Sequence, residues 1–103
     1  MWGLAKRDLD LIQTLAQNYP ALETIIIFGS RAMGNYKPGS DVDLAIKGAV
    51  SSAQIREISG LLNDELPTPY FYDVLALDAL TNPELLAHIR QYGQILYEKN
   101  PSQ

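Results

Sequence analysis

A chain of 103 residues and 11.4 kDa has the length of one compact domain, with room for a single hydrophobic core but not for a separate acceptor-binding unit. Its composition, 47% apolar and 19% charged, is that of a globular protein, and the absence of cysteine excludes disulfides, thiolate catalysis and thiolate metal ligation together. Twelve acidic residues against eight basic ones give a net charge of −4, the wrong sign for gripping polynucleotide phosphates, so no direct nucleic-acid partner is expected.

The opening, MWGLAKRDLDLIQ, lacks the apolar core and small-residue cleavage site of a secretory signal. No run reaches the roughly 18 apolar residues of a membrane span. The expectation is one cytoplasmic domain over residues 1–103, with no membrane partner. From Arg7 to Asn18 the positions Leu11, Ile12, Leu15 and Ala16 follow helical spacing, and Pro20 closes the segment. Thr24 to Phe28 is apolar and β-branched without alternation, the pattern of a strand covered on both faces, and it stops at Gly29. Ser30 is expected to cap a short helical turn through Met33 that Gly34 ends, and Pro38-Gly39 marks a turn in the loop that follows.

The chain returns as a strand from Asp41 to Lys47, in which Val42, Leu44 and Ile46 point one way and Asp41, Asp43, Ala45 and Lys47 the other. Ser51 or Ser52 caps a helix with Ile55, Ile58, Leu61, Leu62 and Leu66 as its stripe, broken by Pro67 and Pro69. Tyr70 to Leu77 reads as a third strand with Asp73 embedded in it, and Asn82-Pro83 opens a helix to about Tyr92. Gly93 ends that helix, and Gln94 to Glu98 forms an edge strand before the polar tail Asn100 to Gln103. The order helix, strand, strand, helix, strand, helix implies an α/β (α+β) fold, a small mixed sheet with helices packed on one side.

Three features carry chemistry. Gly29 and Ser30, at a strand end, offer backbone N–H groups and close approach to a phosphate, although a Gly-Ser pair alone is an ordinary turn. Asp41 and Asp43, two apart on a strand, have backbones about 6.5–7 Å apart on one face, near enough to share a divalent ion or a pair of ions. Such carboxylates suit magnesium, a hard ion that needs neither histidine nor cysteine. Asp73 reaches the same place if its strand lies beside that of Asp41; it would then serve the ion at the nucleophile and accept the proton.

Gly29-Ser30, ten intervening residues and Asp41-Val42-Asp43 followed by Leu44-Ala45-Ile46 resemble the signature of the DNA polymerase β-like nucleotidyltransferases, in particular the minimal nucleotidyltransferase (MNT) proteins. The likeness extends from the leading helix through the Asp73 strand to the closing IRQYGQILYE segment. It implies a polymerase β-like core using two magnesium ions and ATP. Asp41, Asp43 and Asp73 would be the catalytic metal ligands, and Gly29, Ser30, Arg31 and Ser40 would lie at the nucleotide. Many such proteins are antitoxins of a helical HEPN ribonuclease toxin, and some transfer AMP to its tyrosine. A HEPN-type partner would thus bring the missing acceptor, in a hetero-oligomer, and a homo-oligomer is the alternative assembly. Met33 departs from the family pattern, where a basic residue is common; Lys37 is a possible replacement.

The alternatives are a non-catalytic antitoxin that neutralises its partner by complex formation, and a small-molecule nucleotidyltransferase. His88, the only histidine, has no ligand-spaced companion and is assigned no role. Tyr70, Phe71 and Tyr72 read first as packing residues, and Trp2 as a cover near the terminus.

Overall fold

The computed structural model describes residues 1–99; the expected tail from Asn100 to Gln103 lies outside the described residues. Helix α1 (Lys6–Gln17) buries Ile12, Leu15 and Ala16, the positions its 3.6-residue spacing puts on one face. Strand β1 (Leu22–Phe28) leads into the single turn of α2 (Gly29–Met33), which Gly34 ends in the left-handed conformation at φ 85°. After the loop comes β2 (Val42–Gly48), then α3 (Ser52–Gly60). At the start of α3 the Ser51 hydroxyl accepts from the Gln54 N–H while the Gln54 side chain accepts from the Ser51 N–H, satisfying two donors that the helix itself leaves open.

A π-helical turn (Leu61–Glu65) extends α3 as far as the prolines allow, and β3 (Tyr72–Ala76) follows. Asn82 caps α4 (Pro83–Tyr92) by accepting from the N–H groups of Glu84 and Leu85, with Pro83 in the first turn, where its missing N–H costs nothing. Strand β4 (Gln94–Glu98) is the last element among the described residues.

The sheet order is β3-β2-β1-β4. β1 runs antiparallel to β2 and β4, whereas β3 is parallel to β2, with α3 as the crossover that a parallel pair requires. On one face Ile25, Ile27, Val42, Leu44 and Ile46 pack with Ile12, Leu15, Ile58 and Leu62, so α1 and α3 form the helical layer expected from the sequence. The Tyr19 hydroxyl at the end of α1 donates to Glu57 of α3 and fastens the two helices together.

The other face adds a smaller layer. There Phe28, Ala45 and Ile89 form a second cluster with Ile26, Leu75 and Leu85, so α4 packs opposite α1 and α3. This layer exists because β1 is apolar at both parities and cannot leave its second face in water. Among the described residues no helix is long and apolar enough to cross a membrane.

Candidate active site

The parity that sends Val42, Leu44 and Ile46 into the main core sends Asp43 to the face carrying α4. Strand register then brings its neighbours to it: Phe28 of β1 stands opposite Asp43 on one side, and Asp73 of β3 on the other. Side chains at paired positions share a face, so Asp43 and Asp73 are adjacent across the β2–β3 ladder although thirty residues separate them. Asp41 lies one residue before β2 begins rather than within it. The β2–β3 pairing opens where the Val42 N–H donates to the Phe71 carbonyl at 2.9 Å, leaving Asp41 exposed at the mouth of the site.

These placements leave an electrostatic mark. The Asp43 carboxyl is pushed above its ordinary value, first by burial and then by the negative charges of Asp73 and Asp41, with His88 acting in the opposite sense. Mutual repulsion in a half-buried site is the condition that a bound divalent cation relieves. The donor set is also correct for a hard ion, being entirely carboxylate oxygen. The carboxylates themselves stand apart: among the described residues no three His, Cys, Asp or Glu groups lie close enough to hold an ion.

Gly29 forms the wall beside Asp43. Its φ is 73°, a left-handed conformation that L side chains avoid, and a Cβ built there would overlap the Asp43 carboxylate. The backbone therefore approaches the carboxylate as closely as only glycine permits. The Gly29 N–H donates to Nε2 of His88 at 3.0 Å. Ser30 follows, half-buried, and its carbonyl accepts from the Gly34 N–H to close the turn. Ser30 does not cap α2 as expected; Phe28 occupies that position, and no side chain caps the helix.

Arg31, which the resemblance places at the nucleotide, is enclosed within the protein. Only 3% of it is exposed, and its guanidinium points inward, with Nε and Nη2 donating to the Ser40 carbonyl at 3.0 and 2.8 Å and Nη1 to the Trp2 carbonyl at 2.9 Å. The rings of Tyr36 and Tyr70 lie on it at 5.0 and 4.8 Å. An arginine so committed has turned away from solvent. It ties α2 to the residue immediately before Asp41, so its effect on the site runs through the loop.

Ser40 joins the same tie, its carbonyl held by Arg31 and its hydroxyl accepting from the Lys37 N–H at 2.9 Å. Met33, the departure from the family pattern, is 44% exposed, and Lys37 is exposed on the loop. Of the aromatic trio, Tyr72 is buried and Tyr70 stacks on Arg31, as packing roles predict; Phe71 is instead 62% exposed.

Two residues that sequence reasoning left out support the site. Asn63, in the π-helical turn, accepts from the Tyr72 N–H at 2.7 Å and donates to the Tyr72 carbonyl at 2.9 Å, anchoring the strand one residue before Asp73. His88 projects from α4 and meets Gly29 across 59 positions of sequence. Neither has a local signature, since an asparagine near a helix end and a lone histidine on a helix are common, and only the packing of α3 and α4 gives them partners.

The family model "Polymerase beta, Nucleotidyltransferase" matches residues 10–102. No curated protein matches the chain. Among solved structures, the fold is similar to a chain of a toxin–antitoxin crystal structure with AMP-PNP, at TM-score 0.71 and 23% identity over 96% of this chain and 77% of that one. It is also similar to a chain in the complex of tri-AMPylated Shewanella oneidensis HEPN toxin with MNT antitoxin, at TM-score 0.68 and 22% identity over 96% and 74%. A putative nucleotidyltransferase from Sulfolobus solfataricus aligns at TM-score 0.54 and 23% identity over 96% and 81%. With the match spanning nearly its whole length, and with paired carboxylates beside a strand-end glycine turn, the chain belongs to the polymerase beta nucleotidyltransferase family.

Proposed function

We propose that this chain is an MNT-type antitoxin that transfers AMP from ATP to a hydroxyl, most simply a tyrosine, of a HEPN-type toxin partner. The observation that carries the reading is the register that sets Asp43 directly opposite Asp73, beside the backbone of Gly29. The similar complexes, one with AMP-PNP and one with an AMPylated HEPN toxin, support adenylyl transfer and a protein acceptor.

In this reading Asp41, Asp43 and Asp73 would hold magnesium, which when bound neutralises triphosphate charge and activates the incoming hydroxyl. The Gly29–Ser30 turn would position the phosphates beside Asp43, whose carboxylate lies against the Gly29 backbone because no Cβ intervenes. Asp73 lies on an edge strand and is exposed, so it faces the side open to an arriving acceptor and is placed to take the hydroxyl proton. Asp41, exposed at the start of β2, completes the carboxylate set on the side of the loop. The Arg31–Ser40 tie holds that loop while the acceptor comes and goes.

The test is to incubate the chain with its HEPN-type partner, ATP and magnesium and to weigh the partner intact. Addition of one or more adenylate units is expected, lost in Asp43→Asn without loss of fold. A partner of unchanged mass, silenced equally well by Asp43→Asn, would replace transfer with neutralisation by complex formation.

A further inference from the structure

The His88 side chain of α4 hydrogen-bonds to the strand-end turn, and nothing in the donor chemistry derived above uses it. Its Nε2 accepts the Gly29 N–H at 3.0 Å, a bond that uses the lone pair of that nitrogen. The ring is held from both sides, edge-on to Phe28 at 6.1 Å between centroids and tilted against Tyr92 at 5.2 Å. The helix beneath it is well anchored, with Asn82 at its cap and Ile89 buried against the sheet. The acceptor is thus presented by a rigid element, not by a loop.

The N–H that it accepts belongs to the residue with the most unusual backbone in the site. Gly29 sits at φ 73° with no side chain to hold it there, and among the described residues no backbone carbonyl outside the regular elements takes its N–H. A glycine without such an anchor samples both signs of φ at little cost. Its excursions would move the wall against which the Asp43 carboxylate rests.

We propose that His88 is a positioning residue of the donor site: its hydrogen bond locks the Gly29 turn in the left-handed form, and so fixes where the nucleotide's phosphates sit relative to Asp43. The inference rests on the nucleotidyltransferase reading above and deepens it by assigning a residue outside the carboxylate set. It also divides the turn's donors. The Gly29 N–H is committed to the imidazole, leaving the Ser30 N–H and hydroxyl for phosphate.

Two substitutions separate the hydrogen bond from the packing of the ring. His88→Phe keeps an aromatic ring between Phe28 and Tyr92 but has no acceptor, whereas His88→Gln loses the ring and keeps a carbonyl of similar reach. Binding of AMP-PNP with magnesium is measured by titration calorimetry on the full chain, together with the melting temperature and the amide exchange of Gly29. The expected result is a nucleotide affinity weakened about three- to tenfold in His88→Phe, the worth of one hydrogen bond, with faster exchange at Gly29. His88→Gln is expected to restore both towards the unaltered protein even where its melting temperature is lower.

A purely structural histidine gives the opposite ranking, with affinity following melting temperature and His88→Gln the weaker binder; that ranking would overturn the proposal. Unchanged affinity in a folded His88→Phe would overturn it too. Should His88→Phe not fold, His88→Gln decides alone: affinity close to that of the unaltered protein supports the proposal, and a full loss refutes it. Failure of the unaltered protein to bind AMP-PNP would refute the donor-site reading itself, and is distinguishable from every outcome above.

Discussion

Replacing Arg31 by methionine tests whether this side chain acts on the fold or on the triphosphate. Methionine keeps much of the length and apolar stem but removes three hydrogen bonds, leaving the Ser40 and Trp2 carbonyls without their donors. Hydrogen bonds from a charged donor contribute roughly 1.5–3 kcal/mol each, and two aromatic faces on a guanidinium about 0.5–1 kcal/mol apiece. Against this stands the desolvation of a cation that, among the described residues, has no carboxylate within ion-pair distance. The opposing terms leave a net loss of about 3–5 kcal/mol, a large part of the stability of a domain this size.

In a urea titration followed by circular dichroism, Arg31→Met is expected to lower the midpoint accordingly, and in a thermal melt by about 12 °C or more. Arg31→Lys keeps a cation between the rings but cannot reach both carbonyls through one planar fork, so roughly half the loss is expected. A change below about 1 kcal/mol in Arg31→Met would refute the structural role. Unaltered stability with loss of nucleotide binding would return Arg31 to the phosphates.

Asp43→Asn separates stability from activity. Because burial and the charges of Asp73 and Asp41 raise this carboxyl above 3.8, the folded state holds its proton more tightly than the unfolded chain, and stability falls as pH rises from 3.8 through the raised value. The neutral amide escapes that cost, so the variant is expected to melt slightly higher at neutral pH, by less than about 1 kcal/mol in a half-open site. The difference should close in acid while AMP transfer is abolished throughout; a variant less stable at neutral pH would show the charge to be compensated in the native protein. Gly29→Ala forces a left-handed alanine against the Asp43 carboxylate, and a loss of ~2–4 kcal/mol in urea is expected. Near-native stability would mean that the turn can relax away from Asp43.

Much of this protein is determined locally. The apolar spacing of Ile12, Leu15 and Ala16, the capping pair Ser51 and Gln54, Asn82-Pro83 before α4 and the alternation of Val42, Leu44 and Ile46 act within a turn or a pleat, so they are legible without knowledge of the fold. The same holds for the Gly-Ser turn and for Asp43, whose parity along β2 sets its face, whereas Asp41 falls one residue before that strand. Three things depend on contacts between distant segments. Asp73 could be named from the sequence, but only the parallel pairing of β3 with β2 sets it opposite Asp43. Arg31 looks the same in sequence whether it faces solvent or the interior; the Tyr36 and Tyr70 rings and the Ser40 and Trp2 carbonyls decide the matter by enclosing it. His88 has no local partner at all, and it enters the site because a second apolar face on β1 draws α4 onto the sheet beside Gly29. Local patterns place the elements and the donor motif, and burial with long-range hydrogen bonding decides which side chains stand around it, since those forces act between residues that meet only after folding.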